Sequence, residues 1–121
     1  MKKQKGSSIV LLGSYGAYDL PSLIGHYAIT KTMLVAMTKI MAKELMDDEI
    51  RVNCICPGLI KTNFSSALWS QGEEAAAEGM GVKRLGVPED IANVVKFMLS
   101  EEASYMTGES IVAAGRPVAR L

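Results

Sequence analysis

The chain has 121 residues, enough for one domain, and 49% of them are apolar while 21% are charged. Its 13 Lys and Arg residues balance 13 Asp and Glu residues, which excludes a polybasic nucleic-acid binder and an acidic tail. No apolar run approaches the roughly 18 residues of a membrane-spanning helix. The apolar run after the basic start is too short for a signal peptide, so we do not expect secretion.

The first half of the chain predicts a strand, a loop and a long helix. Ser8–Leu12 is a short apolar run rich in β-forming residues, which indicates a fully buried strand of a parallel sheet. Residues 13–25 contain three glycines and a proline and are interpreted as a loop, with His26 at its end. From there to about Met46 there is no Pro or Gly, and apolar residues recur at helical spacing. The members of this stripe are Ile29, Met33, Met37, Ile40 and Met41.

The second half predicts two further strands and two helices. Arg51–Cys56 has the composition of a strand and is ended by Pro-Gly. Residues 63–77, rich in Ser and Ala, predict a weak helix. A clean amphipathic helix begins at Pro88, with acidic residues in its first turn, and Ser110–Ala113 is the third strand candidate. This alternation indicates an α/β fold with parallel strands.

Tyr27 and Lys31 are the first pair with chemical potential. They lie four residues apart at the start of the long helix, so their side chains share one face. A free phenol is too weak an acid for efficient proton transfer at neutral pH, but a nearby ammonium favours the phenolate. The pair could therefore make a general acid. On spacing alone, two ordinary helix-surface side chains remain the commoner alternative.

Two turns follow predicted strands and are candidate ligand contacts. Ser14 lies just beyond the first strand, and the segment Pro57–Thr62 follows the second. Ligand sites of parallel sheets lie at the carboxyl ends of the strands, so a serine hydroxyl could donate to a substrate there. Backbone groups released by Pro57 and Gly58 could meet a cofactor. The alternative for both segments is an ordinary turn.

In this order, the motifs resemble the second half of the short-chain dehydrogenase/reductase family. The family pattern is a strand ending in Ser, then Y-x-x-x-K, then R-V-N-x-I-x-P-G-x-x-x-T. The chain reads S-I-V-L-L-G-S, Y-A-I-T-K and R-V-N-C-I-C-P-G-L-I-K-T. R-L-G-V-P-E-D-I-A (84–92) and S-Y-M-T-G-E (104–109) also match. The resemblance runs from Gly6 to about Gly115, and within the family it is strongest to the peroxisomal carbonyl reductases.

This resemblance implies a set of roles. The tyrosine of the family passes a proton to or from the substrate oxygen, the lysine lowers the tyrosine's pKa and holds the nicotinamide ribose, and the serine orients the carbonyl. The loop after P-G lies beside the nicotinamide and the phosphates. The implied catalytic residues are Ser14, Tyr27 and Lys31. The implied cofactor contacts are Tyr27, Lys31, Pro57, Gly58, Ile60 and Thr62. Leu68 and Trp69 fall where the family varies its substrate-binding segment.

The implied activity is the NADP(H)-dependent reduction of ketones, aldehydes or retinal, in a dimer or tetramer whose subunits meet through the long helix. NAD(H) remains open as the cofactor. The apolar stripe on that helix has core packing as its alternative.

The glycine-rich phosphate turn of a dinucleotide-binding fold is missing from these residues. Gly79 and Gly81 are a near miss, but no strand precedes them and position 84 is Arg. We therefore expect residues 1–121 to form the catalytic half of a Rossmann-type doubly wound parallel sheet, about three strands with flanking helices. The alternative function is that of an inactive fragment, acting at most as a partner of full-length subunits.

The remaining predictions concern metals and location. Cys54 and Cys56 are expected on opposite faces of their strand, and with His26 as the single histidine no metal site is predicted. Two free thiols fit a reducing compartment. The final Ala119-Arg120-Leu121 fits the small–basic–Leu pattern of peroxisomal import, with a cytoplasmic location as the alternative.

Overall fold

The computed structural model describes residues 6–19 and 24–117, and these residues form three strands and three α-helices. The strands are β1 (Ser8–Leu12), β2 (Arg51–Pro57) and β3 (Ser110–Ala113). The helices are α1 (Gly25–Glu44), α2 (Glu73–Gly79) and α3 (Pro88–Leu99). Short 3₁₀ turns lie at Tyr15–Ala17, Ser66–Leu68 and Glu101–Ala103.

The strands form one parallel sheet in the order β1-β2-β3. Ser8 lies opposite Arg51 and Leu12 opposite Ile55, while Cys54 pairs with Ser110. Each parallel connection crosses over through helical segments, as parallel strands require. The α/β class and all three predicted strands are confirmed.

The centre of the core is β2, whose residues 52–56 are fully buried. Helix α1 turns small residues, Ala28, Thr38 and Ala42, towards the interior. Its apolar stripe points the other way, and the side chains of Ile29 and Met33 are 62% and 60% exposed. The alternative prediction, that this stripe packs into the core, is therefore wrong for the described residues.

β1 is only partly buried, which corrects the prediction of a fully buried strand. Its residues are half-buried, and Leu12 at its end is 57% exposed. Within the described residues β1 pairs with β2 alone, so its other edge is open. The composition of a central strand had suggested neighbours on both sides.

Two further predictions need correction. The helix predicted over residues 63–77 is a 3₁₀ turn followed by the seven-residue α2. Serine hydroxyls explain the difference, because Ser65 and Ser66 bond to nearby carbonyls and stabilise turns in place of a helix. His26 belongs to the first turn of α1, not to the loop before it.

Polar side chains fasten the sheet and the start of α3 to their connecting segments. The Asn53 amide donates to the Met106 carbonyl at 2.9 Å, and its oxygen accepts from the Glu109 N–H at 3.1 Å. At the start of α3, Asp90 accepts from the Val87 N–H at 2.8 Å and pairs with both terminal nitrogens of Arg84. The Arg84 hydrogen bonds, with that of Val87, lower the pKa of Asp90 to about 2.

The helices of the described part of the chain include none that is long and apolar enough to cross a membrane. The C-terminal residues Ala119-Arg120-Leu121 and the loop residue Pro21 lie outside the described residues.

Candidate active site

Ser14 directly follows β1 and begins the 3₁₀ turn. Its side chain is almost fully buried, and its oxygen accepts from the Gly16 N–H at 3.1 Å. A hydroxyl carries one proton and two lone pairs, so this bond leaves the proton for another acceptor. Ser14 is thus fixed by its own turn and retains a donor.

Lys31 connects the start of α1 with the end of β1. Its ammonium lies 5.6 Å from the centre of the Tyr27 ring, which confirms that the two side chains share a helix face. The same ammonium donates to the Leu12 carbonyl oxygen at 3.0 Å. Since Leu12 is two residues before Ser14, the lysine lies between the phenol and the strand end that carries the serine.

The segment after β2 is a continuation of the sheet as well as a loop. The Gly58 N–H donates to the Ala113 carbonyl at 3.0 Å, so this amide is not free as the sequence suggested. A Cβ on Gly58 would lie 2.8 Å from the Ala114 Cα. The two backbones are therefore too close for any residue larger than glycine at this position. Pro57 is the last residue of β2.

Ile60 and Thr62 retain groups that a ligand could use. Ile60 forms an isolated parallel bridge to Gly86, through the Lys61 N–H and the Leu59 carbonyl. This pattern leaves the Ile60 N–H without a hydrogen bond inside the described ranges. Thr62 is half-buried, and its hydroxyl lies 3.2 Å from the hydroxyl of Ser65.

Phe64 was missed by the sequence reasoning. Its side chain is 85% exposed, and its ring centre lies 6.2 Å from that of Tyr27 at an interplanar angle of 36°. The contact brings the segment after β2 to the predicted acid. The available signal was one large apolar residue in a stretch of Asn, Ser and Ala, directly after Thr62.

A second tyrosine, Tyr15, lies beside the serine turn. Its hydroxyl is 3.7 Å from the Met80 sulfur, and the Arg116 guanidinium lies 5.7 Å from its ring centre. Burial raises the pKa of Tyr15 above its usual value, and the Arg116 charge only partly offsets this. Tyr15 is therefore a weaker acid than a free phenol, which makes it a poor rival for proton donation.

A cavity of about 670 Å³ lies at the carboxyl ends of β2 and β3. Of the predicted cofactor residues, Gly58 and Ile60 line it. Ser14, Tyr27 and Lys31 are not part of its lining. The predicted proton-transfer residues and the predicted cofactor segment therefore meet through Phe64, which is not part of this lining.

The two cysteines lie on one face of β2, with their sulfurs 3.8 Å apart. The expectation of opposite faces was wrong, because alternate residues of a strand share a face. A Cβ on Gly13 would lie 2.8 Å from the Cys56 sulfur and 2.9 Å from the Cys54 sulfur. The thiols thus occupy the space that a larger residue before Ser14 would need, which explains the glycine at position 13.

Hydrogen bonding from Cys56 lowers the pKa of the Cys54 thiol to about 7. Within residues 6–19 and 24–117, no group of three His, Cys, Asp or Glu side chains could hold a metal ion.

Comparison with known proteins decides the family. Residues 1–115 match the family model described as Enoyl-(Acyl carrier protein) reductase. The whole chain is 47% identical to Dehydrogenase/reductase SDR family member 4 of Oryctolagus cuniculus and covers 47% of that protein. The chain belongs to the short-chain dehydrogenase/reductase family. It spans slightly less than half the length of this curated relative.

Solved members of the short-chain dehydrogenase/reductase family share the fold. A Brucella melitensis short-chain dehydrogenase/reductase superposes with a TM-score of 0.85 at 38% identity, over 93% of this chain and 45% of the other. A 4-hydroxyisoleucine dehydrogenase complexed with NADH gives 0.81 at 28% identity, over 89% of this chain and 45% of the other. An Agrobacterium tumefaciens protein with bound NADP gives 0.80 at 30% identity, with the same coverage. The predictions of family and Rossmann-type fold are confirmed.

Proposed function

We propose that this chain carries the catalytic residues of an NADP(H)-dependent carbonyl reductase that acts on ketones, aldehydes or retinal. The position of Lys31 is the observation that carries the proposal. Its ammonium lies 5.6 Å from the centre of the Tyr27 ring and 3.0 Å from the Leu12 carbonyl oxygen. One lysine therefore links the proposed acid to the strand end that precedes Ser14.

In the proposed mechanism two hydroxyl groups act on the carbonyl oxygen of the substrate. The Tyr27 phenol transfers its proton to the carbonyl oxygen of the substrate, and the Ser14 hydroxyl donates a hydrogen bond to the same oxygen. The Lys31 ammonium stabilises the phenolate that remains. The hydride for the carbonyl carbon would come from a nicotinamide cofactor when one is bound beside Ile60 and Thr62, and the product would then be an alcohol. A positioned acid of this kind contributes roughly 10²–10⁴-fold in rate.

The donors that remain available fit a nicotinamide nucleotide. The Ile60 N–H is a free backbone donor within the described residues, and the Lys31 ammonium has two protons beyond the one given to Leu12. Such donors suit the carboxamide and ribose of the cofactor. Gly58 and Pro57 would shape the loop without donating, since the Gly58 amide is used within the sheet.

The preference for NADP(H) over NAD(H) is part of the proposal. Among the solved relatives, one holds NADP and another NADH, so family membership alone leaves both open. The test is the oxidation of NADPH and of NADH by the purified chain with a reactive aromatic dicarbonyl. A higher kcat/KM with NADPH is expected. Equal values, or a higher value with NADH, would overturn the cofactor assignment.

We further propose that residues 1–121 act as the catalytic half of the domain. The open outer edge of β1 within the described residues, and the half-length match to the relative, support a second half beside β1. That half, from the same or another molecule, would supply the glycine-rich phosphate turn.

The alternative is that the chain is a catalytically inactive fragment that acts at most as an interaction partner of full-length subunits. The exposed apolar stripe of α1 favours it, because contiguous apolar surface marks interaction sites. Co-purification with a full-length relative would support this function, and its loss in Met37→Glu would assign it to α1. A monomeric chain that retains turnover would exclude both this alternative function and the predicted homo-oligomer.

Delivery to peroxisomes stays a prediction from Ala119-Arg120-Leu121. A fluorescent protein fused ahead of the chain tests it by its location with and without Leu121.

A further inference from the structure

The Ser65 hydroxyl lies at the centre of the segment that follows Thr62. It is within hydrogen-bond distance of the Ile60 carbonyl, of three Thr62 atoms and of the Trp69 indole. The Thr62 N–H lies 3.3 Å away and the Trp69 Nε1 lies 3.1 Å away. A single half-buried oxygen therefore joins the proposed nucleotide segment to the turn that carries Trp69.

The valence of a hydroxyl fixes how these bonds are arranged. It has one proton and two lone pairs. The Thr62 amide and the Trp69 indole can only donate, so they occupy the two lone pairs. The proton goes to the Ile60 carbonyl, to which Ser65 is bonded. Every bonding position of Ser65 is then filled, and the Thr62 hydroxyl keeps its own proton for a ligand.

We infer that Ser65 is a positioning residue that couples Thr62 to Trp69. Its hydroxyl binds the Thr62 amide and the Trp69 indole, so it fixes the Thr62 backbone and transmits movement of Thr62 to the indole. Nucleotide binding at Ile60 and Thr62 therefore changes the environment of Trp69. This inference rests on the proposed assignment of Ile60 and Thr62 to the cofactor.

The chain has one tryptophan, so its indole fluorescence reports Trp69 alone. NADP⁺ is the probe, because the reduced cofactor would absorb the emission. We expect NADP⁺ to change the Trp69 emission of the full chain. Ser65→Ala should abolish that change and weaken NADP⁺ binding about tenfold by calorimetry, a factor that corresponds to about 1.4 kcal/mol. Ser65→Thr retains the hydroxyl and should restore both.

Ser66→Ala is the matched control. Ser66 lies in the same turn, and its hydroxyl donates to the Asn63 carbonyl at 2.8 Å without contacting Thr62 or Trp69. We expect this variant to keep the emission change. An emission change of wild-type size in Ser65→Ala would overturn the coupling, as would an equal loss in both alanine variants.

A measurement on the free chain separates this inference from the proposed function. If calorimetry detects no NADP⁺ binding to the wild-type chain, the cofactor assignment fails. The coupling is then decided by the amide resonance of Thr62 in Trp69→Phe. A shifted Thr62 resonance supports a hydrogen-bonded link through Ser65, and an unchanged resonance contradicts it.

Discussion

The Lys31 ammonium donates to the Leu12 carbonyl oxygen at 3.0 Å and thereby ties the first turns of α1 to the end of β1. Leu12 leads through Gly13 to Ser14, while Tyr27 lies one helical turn before the lysine. This hydrogen bond therefore ties the helix that carries the phenol to the strand that leads into Ser14.

Replacement of Lys31 by Ala should lower kcat about 100-fold, because the proposed phenolate loses its stabilising charge. The lost hydrogen bond should cost about 1 kcal/mol of stability. Carbonyl-dependent NADPH oxidation and urea unfolding measure the two effects. Lys39→Ala is the control, since Lys39 is exposed on the same helix and should affect neither. A Lys31→Ala enzyme with wild-type kcat would remove the lysine from the mechanism.

Phe64 is expected to form an apolar wall for the substrate. Its exposed ring beside Tyr27 would contact an aromatic group carried by the carbonyl compound. Phe64→Ala should raise KM about tenfold for an aromatic dicarbonyl and much less for a small aliphatic one. Phe97→Ala on α3 changes another exposed phenylalanine and should leave both values unaltered. Equal effects on the two substrates would argue against a substrate contact.

Gly13 and Cys56 should be coupled in stability. A Cβ at Gly13 would lie 2.8 Å from the Cys56 sulfur, so Gly13→Ala should destabilise the chain by about 1–3 kcal/mol through overpacking. Removing that sulfur with Cys56→Ala should make the same Gly13 change less costly. Urea midpoints of the two single variants and the double variant test this. Strict additivity of the single effects would mean that the thiol does not limit the space.

The Asp90–Arg84 pair predicts an acid-dependent difference in stability. Hydrogen bonds from Arg84 lower the pKa of Asp90 from 3.8 to about 2, so folding favours the carboxylate. Its contribution is complete above about pH 4 and disappears as the pH falls towards 2. The gap in urea midpoint between wild type and Asp90→Asn should therefore close over that range. Asp47→Asn, an exposed control, should show no gap at either pH, and a gap that persists at pH 2 would refute the linkage.

Short-range patterns predicted most of the sheet. Ser8–Leu12 and Ser110–Ala113 have the predicted bounds, and β2 extends one residue beyond its predicted end. Gly and Pro flank these runs, and the backbone properties of these two residue types are enough to end a strand. The burial of β1 was misjudged because burial depends on neighbours that composition does not reveal.

The site shows the same division. Tyr27 and Lys31 share a face because helical geometry fixes their spacing. Phe64 and Ser65 were missed because their importance arises from contacts with residues far along the chain or around a turn. The segment containing them was expected to be helical, which would have pointed these side chains elsewhere.

The most direct test of the central claim is NADPH oxidation by the purified chain with an aromatic dicarbonyl, compared with Tyr27→Phe. We expect the variant still to bind NADP⁺ and to lose turnover by at least about 100-fold, because only the proton donor has been removed. Turnover by Tyr27→Phe at the wild-type rate would contradict the assignment of Tyr27 as the acid. A soluble wild-type chain with no turnover would instead contradict the claim that these residues form a working site in this chain.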